Sequence, residues 1–97
     1  MVLEAAMLQV KTGMEAEYEE AFREASEIIS SMKGYISHEL QSCMEVKGKY
    51  LLLVQWETLE DHTVGFRQSN EYLEWKKRLH NFYDPFPIVE HFEKVKL

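Results

Sequence analysis

One run of the sequence limits the possible folds more than any other, because it places apolar side chains on both faces of a single strand. In residues 49–56, one face of a strand carries Tyr50, Leu52, Val54 and Trp56, and the other carries Leu51, Leu53 and Gln55. Residues 2–10 repeat the pattern, with Val2, Ala6, Leu8 and Val10 on one face and Leu3, Ala5 and Met7 on the other. Strands of this kind are buried on both sides. A sheet that contains them therefore needs a packing partner on each face.

Helical patterns alternate with the strands. Thr12 followed by Glu15 matches a capping box, and apolar residues then recur at helical spacing as far as Met32. Gly34 is placed to take the left-handed conformation after this helix. Downstream, the same rules predict a strand at 35–44 and a hairpin connection at 45–48. A short helix is expected from Thr58 to about residue 66, and a second helix, capped by Ser69, from 70 to about 82. The last predicted element is a strand at 88–95.

The resulting order, β-α-β-β-α-β, predicts an α+β fold of the ferredoxin-like class in a single domain, residues 1–97. In that fold four strands form an antiparallel sheet and both helices cover the same face. Ile36, His38 and Leu40 are expected to share one face of the second strand. The apolar residues on the uncovered face of strands one and three must be buried elsewhere. We therefore expect a homodimer in which two sheets pack face to face.

Charge and cysteine content argue against several classes of protein. The chain carries 17 acidic and 11 basic residues, for a net charge of −6, and its densest basic run is Lys76-Lys77-Arg78. Binding to nucleic acid or to an anionic membrane needs a basic surface, so neither is expected. The single cysteine, Cys43, cannot form an internal disulfide, and no apolar run approaches the roughly 20 residues of a membrane helix. These features favour a cytoplasmic protein. The four histidines lack metal-ligand spacing, so no metal site is expected.

Five short segments carry a resemblance to a known family. They are Gly34-Tyr35-Ile36-Ser37-His38-Glu39-Leu40, Val54-Gln55-Trp56-Glu57-Thr58, Glu60-Asp61-His62, Phe66-Arg67-Gln68-Ser69 and Pro87-Ile88-Val89-Glu90-His91-Phe92. With them the chain resembles the antibiotic-biosynthesis monooxygenase domain, a branch of the dimeric α+β barrels. The resemblance implies a dimer with a pocket between sheet and helices in each protomer. Characterised relatives oxidise anthrone-like or hydroquinone-like polyphenols with O2 and without metal or flavin, so no cofactor is expected.

The resemblance directs attention to two candidate bases and one aromatic residue. Trp56 matches a tryptophan of oxygenase and haem-degrading relatives, where it would stack on a planar substrate; otherwise it is an aromatic core residue. His62 stands where relatives often carry a histidine, and it is a candidate base if the short helix overhangs the pocket, or a helix-surface residue if it does not. His38 could accept a phenolic proton near neutral pH, or be a buried structural histidine.

One further catalytic candidate would stabilise charge, and the remaining candidates would bind substrate. Arg67 could hold a substrate oxyanion, or pair with Glu60 or Glu71 on the surface. The expected pocket wall consists of Phe66, Tyr72 and Trp75, a stripe that equally describes ordinary helix-to-sheet core. His91 could lie in the dimer barrel, at the edge of the sheet or in the pocket. His80 is expected on the exposed side of the last helix.

Three functions are consistent with these features. The first is a cofactor-independent monooxygenase, in which a deprotonated small aromatic or quinol-type substrate reacts with O2 while the protein excludes water and stabilises charge. The second is a small-molecule binding or stress-response dimer without turnover. The third, haem binding or degradation, fits least. By the resemblance, that activity uses an asparagine on strand one and a histidine on the last helix, where this chain has Ala5-Ala6-Met7 and Leu73-Glu74-Trp75-Lys76.

Overall fold

The strands and helices follow the predicted order β-α-β-β-α-β, in a computed structural model that describes all 97 residues. The elements are β1 (Val2–Gln9), α1 (Glu15–Ser30), β2 (Tyr35–Ser42), β3 (Lys49–Trp56), α2 (Asn70–Leu79) and β4 (Ile88–Phe92). A π-helical turn, Asp61–Phe66, joins β3 to α2, and a 3-10 turn, His80–Phe82, follows α2 directly. Neither α-helix combines the length and the apolar composition needed to cross a membrane.

The four strands form one antiparallel sheet in the order β2-β3-β1-β4, which is the ferredoxin-like arrangement. Strand β1 lies in the interior of the sheet and pairs with β3 on one side and β4 on the other. This register sets Glu4 opposite Val54 on β3 and opposite His91 on β4. Because paired residues project from the same side of a sheet, the side chains of Glu4 and His91 both face the helices.

The core lies between this face of the sheet and the helices. Its largest members from the sheet are Tyr50, Leu52, Val54 and Trp56, and those from the helices are Tyr18, Phe22, Ile29, Phe66, Trp75 and Leu79. Burying each large apolar side chain contributes about 1.5–3 kcal/mol, so this one face accounts for most of the hydrophobic stabilisation. The helical stripe predicted for α1 is thus confirmed.

Local signals at three places gave a wrong prediction. Thr12 does not cap α1, since the N-cap residue is Met14 and no side chain caps the helix. A β-bulge between Tyr35 and Ser37 breaks the alternation of β2, so Ile36 is exposed while His38 faces the helices. Strands β2 and β4 end at Ser42 and Phe92, short of the predicted ends.

The opposite face of the sheet is apolar and uncovered in the single chain. Met7 is 55% exposed, Ile88 76% and Phe92 51%, and the half-buried Leu3, Leu51 and Leu53 complete the patch. Strands β1 and β3 therefore have the two apolar faces that the sequence predicted. The helices cover one of them.

Candidate active site

A cavity of about 290 Å³ lies between the helix-facing side of the sheet and α2. Its walls come from β1, β3, β4, the π-helical turn, α2 and the segment between α2 and β4. Five aromatic side chains line it: Phe66, Tyr72, Trp75, Tyr83 and Phe86. Four ionisable side chains join them: Glu4, His62, Arg67 and His80. A mainly apolar cavity with a few convergent polar groups is the usual form of a small-molecule site.

Glu4 is a buried carboxylate on the wall of this cavity. The residue is 5% exposed, and its Oε1 accepts a hydrogen bond from Trp56 Nε1 at 2.9 Å. His62 Nε2 lies 3.3 Å from the same oxygen. Burial raises the pKa of Glu4, and the Trp56 hydrogen bond and the positive charge of Arg67 oppose that rise. A carboxylate with a raised pKa is a stronger base than a glutamate in water.

His62 is brought to Glu4 by the π-helical turn. Thr58 and Asp61 exchange hydrogen bonds of 3.2 Å at the start of this turn, which confirms Thr58 as a cap. The Arg67 N–H donates to the His62 carbonyl at 3.0 Å, a bond across five residues that widens the helix. Single π turns of this kind often occur at functional sites. The wide turn directs His62 and Phe66 into the interior, where the His62 ring stacks on Trp56 with centroids 5.4 Å apart.

Both ring nitrogens of His62 have partners. Nε2 faces Glu4, and Nδ1 lies 2.7 Å from Nε2 of His91, a half-buried residue on β4. Burial, then the positive charge of Arg67, then His91, lower the pKa of His62 to about 3. Burial and Arg67 lower the pKa of His91 as well. Both imidazoles are therefore neutral at physiological pH, so the bond between them holds one shared proton.

Arg67 supplies the positive charge of the site. It is exposed, lines the cavity and forms no ion pair with Glu60 or Glu71. Its charge lowers the pKa of Glu4 and of His62. A guanidinium with no carboxylate partner at the wall of an apolar cavity is suited to hold an anionic ligand oxygen.

Comparison with known proteins identifies the family. A model of the antibiotic biosynthesis monooxygenase family matches residues 1–78. The chain belongs to this family. The Bacillus subtilis protein YczJ is 67% identical over 95 residues, which cover 98% of this chain and all of that protein.

Solved structures of family members share the fold. A Bordetella bronchiseptica protein classed with the antibiotic biosynthesis monooxygenases is 33% identical, with a TM-score of 0.93 over 98% of this chain and 97% of that one. SnoaB of Streptomyces nogalater, a cofactor-independent oxygenase, is 17% identical, with a TM-score of 0.81 over 99% of this chain and 94% of that one. At that identity the likeness to SnoaB establishes the fold alone.

Most of the family-based candidates meet in the cavity of this family member. The predicted site residues that line the cavity are His62, Arg67, Phe66, Tyr72 and Trp75. Trp56 lies behind that wall, fully buried, and contacts the cavity residues Glu4, His62 and Phe66. His38 does not line the cavity. It packs edge-on against Phe22 and hydrogen-bonds the Tyr35 hydroxyl, and burial lowers its pKa.

Other cavity residues were not anticipated. Glu4 carried a signal: it is the one charged residue on a strand face that otherwise holds Val2, Ala6 and Leu8. Tyr83 and Phe86 follow the last helix, in a segment without the helical or strand periodicity that indicates which way a side chain points. Tyr83 shares a 2.9 Å hydrogen bond with Tyr18, and burial is the main cause that raises its pKa to about 12.

His80 was predicted on the exposed side of the last helix, and this was wrong. The α-helical geometry ends at Leu79, and the 3-10 turn that follows leaves His80 half-buried on the cavity wall against Phe86. No group of three or more histidine, cysteine, aspartate or glutamate side chains is arranged to hold a metal ion.

Proposed function

We propose that this protein is a cofactor-independent monooxygenase that oxidises a small aromatic, quinol-type substrate with O2 in the cavity beside Glu4. One observation carries the proposal: a buried carboxylate with a raised pKa and an unpaired arginine line the same aromatic cavity. The family described above is the second support. A base and a cation beside an apolar ring site are what deprotonation of a phenol requires.

The volume of the cavity limits the substrate. An apolar cavity of about 150 Å³ holds one benzene molecule. The cavity here, at about 290 Å³, has room for one ring or two fused rings and not for the four pyrroles of a haem. The faces and edges of Phe66, Tyr72 and Trp75 would hold such a ring by aromatic contacts. Haem degradation is therefore not proposed.

The chemistry begins with a proton transfer. Glu4 takes the proton of a ring hydroxyl, and Arg67 stabilises the resulting oxyanion with a charge-assisted hydrogen bond. The electron-rich anion then reacts with O2. One oxygen atom enters the ring in place of hydrogen, the other leaves as water, and the substrate, which supplies all four electrons, ends as a hydroxylated quinone. No other reductant is needed.

Trp56 and His62 act on Glu4 in this scheme. The Trp56 N–H fixes one carboxylate oxygen, which leaves the other oxygen for the substrate hydroxyl. His62 has no free nitrogen for the substrate, because both are engaged. We therefore assign the first proton transfer to Glu4 rather than to the predicted base His62. The proposal gives His38 no part in the reaction.

The decisive experiment measures O2 uptake by metal-stripped protein with hydroquinones and naphthohydroquinones, corrected for autoxidation. We expect Glu4→Gln, which keeps the shape and removes the base, to lower kcat about 100-fold or more. Glu17→Gln is the matched control, since Glu17 is exposed on α1 and has no hydrogen-bond partner. Equal rates in both variants contradict the proposal. Saturable ligand binding without uptake of O2 supports the binding-module alternative.

We also propose that the exposed apolar face of the sheet pairs with a second copy of the chain. The most exposed large apolar side chains on this face, Met7, Ile88 and Phe92, would otherwise remain in water. Met7→Glu is expected to shift sedimentation at micromolar concentration toward the monomer. Leu73→Glu is the control, because Leu73 is 60% exposed on α2, which covers the other face of the sheet. A wild-type protein that sediments as a monomer contradicts the pairing.

A further inference from the structure

We propose that Glu4, His62 and His91 form a proton relay between the cavity and solvent. The inference rests on the proposed function, because it supplies a path for the proton that Glu4 takes from the substrate. It adds a role for His91, which does not line the cavity, and it assigns His62 to the second position in a chain of three groups.

The geometry of the three groups is serial. Glu4 Oε1 and His62 Nε2 are 3.3 Å apart, and His62 Nδ1 and His91 Nε2 are 2.7 Å apart. Glu4 and His62 both line the cavity and are 5% and 2% exposed. His91 is half-buried and stands on β4, the edge strand of the sheet. The three groups therefore run from a buried carboxylate to a side chain that water can reach.

Each group can hold and pass a proton. An imidazole accepts a proton at one nitrogen and gives one up from the other, so two imidazoles in line conduct protons without moving. His62 is fixed on one side by stacking on Trp56 and on the other by His91. Arg67 is the charged residue beside the three groups of the relay. Its positive charge favours the deprotonated form of each of them. A proton that enters the relay is therefore not retained in it.

The outward transfer balances. Before it, both imidazoles carry their proton on Nδ1. Glu4 receives the hydroxyl proton of the substrate on the carboxylate oxygen that Trp56 leaves free, and rotation of the carboxyl group then presents this proton to His62 Nε2, which accepts it. His62 passes its Nδ1 proton to His91 Nε2, and His91 releases its Nδ1 proton to water. One proton has left the substrate and one has reached solvent.

The inward transfer restores the starting state. When the O–O bond breaks, the departing oxygen needs a proton to become water. Solvent protonates His91 at Nδ1, each group passes one proton inward, and Glu4 delivers the last one. Both imidazoles then carry their proton on Nδ1 again. One proton out and one proton in match an overall reaction that exchanges no net protons with solvent.

The first test uses a phenol that does not react with O2. para-Nitrophenol turns yellow when it ionises, so stopped-flow absorbance follows the phenolate and a pH-indicator dye follows the proton in bulk water. With wild-type protein we expect one proton in bulk for each phenolate formed. In His91→Gln we expect the proton to reach bulk water about 100-fold more slowly, because the glutamine oxygen can accept a hydrogen bond from His62 Nδ1 but cannot conduct a proton.

His91→Ala separates conduction from a structural role. Added imidazole should restore proton release in this variant in proportion to its concentration. If His91→Gln releases protons at the wild-type rate, or imidazole has no effect on His91→Ala, His91 is a structural partner and the relay is wrong. Unchanged thermal unfolding of both variants establishes that they are folded.

A second measurement needs no ligand. In protein labelled with 15N at histidine, a proton shared between His62 Nδ1 and His91 Nε2 gives a nitrogen–nitrogen coupling across the hydrogen bond, and His91→Gln abolishes it. Absence of this coupling in the wild type overturns the relay. Phenolate formation with proton release, but without O2 uptake from any quinol, leaves the relay standing and overturns the proposed oxygenase.

Discussion

Glu4 and His91 occupy paired positions on the neighbouring strands β1 and β4, so both side chains rise from the same side of the sheet. His62 descends from the π-helical turn and contacts both. Three ionisable groups from three separate segments thus share one interior, with an arginine as the neighbouring charge. The predictions below test how this cluster and its supports work.

The indole of Trp56 is expected to set the basicity of Glu4. Trp56→Phe keeps a ring to stack on His62 but removes the hydrogen bond that lowers the pKa of Glu4. The pKa of Glu4 then rises, so the acid limb of the pH profile for O2 uptake moves to higher pH. The loss of a donor to a buried carboxylate also costs about 1–3 kcal/mol of unfolding free energy. Trp75→Phe is the control, since Trp75 donates no hydrogen bond to Glu4, and its acid limb should not move. An unshifted limb in Trp56→Phe contradicts this role.

His62 is expected to make the folded protein sensitive to acid. Its pKa is about 3 in the folded state against an ordinary value of 6.5. Below pH 6.5 the unfolded chain therefore binds a proton that the folded chain does not, and stability falls as the pH falls toward 3. The slope from this one group approaches about 1.4 kcal/mol per pH unit. Urea unfolding between pH 7 and 4 should show a shallower loss in His62→Gln than in the wild type. Parallel curves would argue against a buried neutral His62.

Gly34 is expected to support the π-helical turn. It adopts a φ of +84°, and a β-carbon there would lie 2.1 Å from Asp61 Oδ2, the atom that caps Thr58. Gly13 has the same φ but no atom within 4 Å of such a β-carbon. Gly13→Ala should therefore cost only the left-handed backbone strain, about 1–2 kcal/mol. Gly34→Ala should cost more in urea unfolding and should also lower O2 uptake, because Asp61 and the turn that carries His62 must shift. Equal costs would show that the contact with Asp61 is unimportant.

Arg67 is expected to select for the ionised ligand. Arg67→Gln removes the positive charge, and this loss raises the pKa of Glu4, His62 and His91. We expect it also to weaken the binding of para-nitrophenolate tenfold or more, about 1.4 kcal/mol. Binding of uncharged nitrobenzene should change little, since the ring contacts remain. Arg78→Gln is the matched control, because Arg78 pairs with Glu24 and Glu74 on the surface. Equal losses for both ligands would mean that Arg67 shapes the cavity rather than holding charge.

Periodicity predicted the architecture well because burial is a local property of the pattern. The alternation in β3 and the helical stripe of α1 each report which face meets the core, and both were confirmed. Element ends were less certain, since caps and bulges depend on single hydrogen bonds. The bulge in β2 shows this: it inserts Ile36 into the strand and leaves His38 beside Tyr35, a change that no repeat in the sequence announces.

The sequence by itself determined the order of elements, the apolar faces of the strands, and the segment from His62 to Trp75, which supplies five of the fourteen residues that line the cavity. The first two features follow from spacing within short stretches of sequence, and the third was implied by the resemblance to the family. Only the tertiary structure decided that Glu4, from the first strand, and His91, from the last, meet His62. Strand pairing is non-local, so the register that places two ends of a chain side by side is set by the packing of the whole sheet. The low pKa of His62 follows from the same packing, because burial is its main cause and only the assembled fold removes water from the ring.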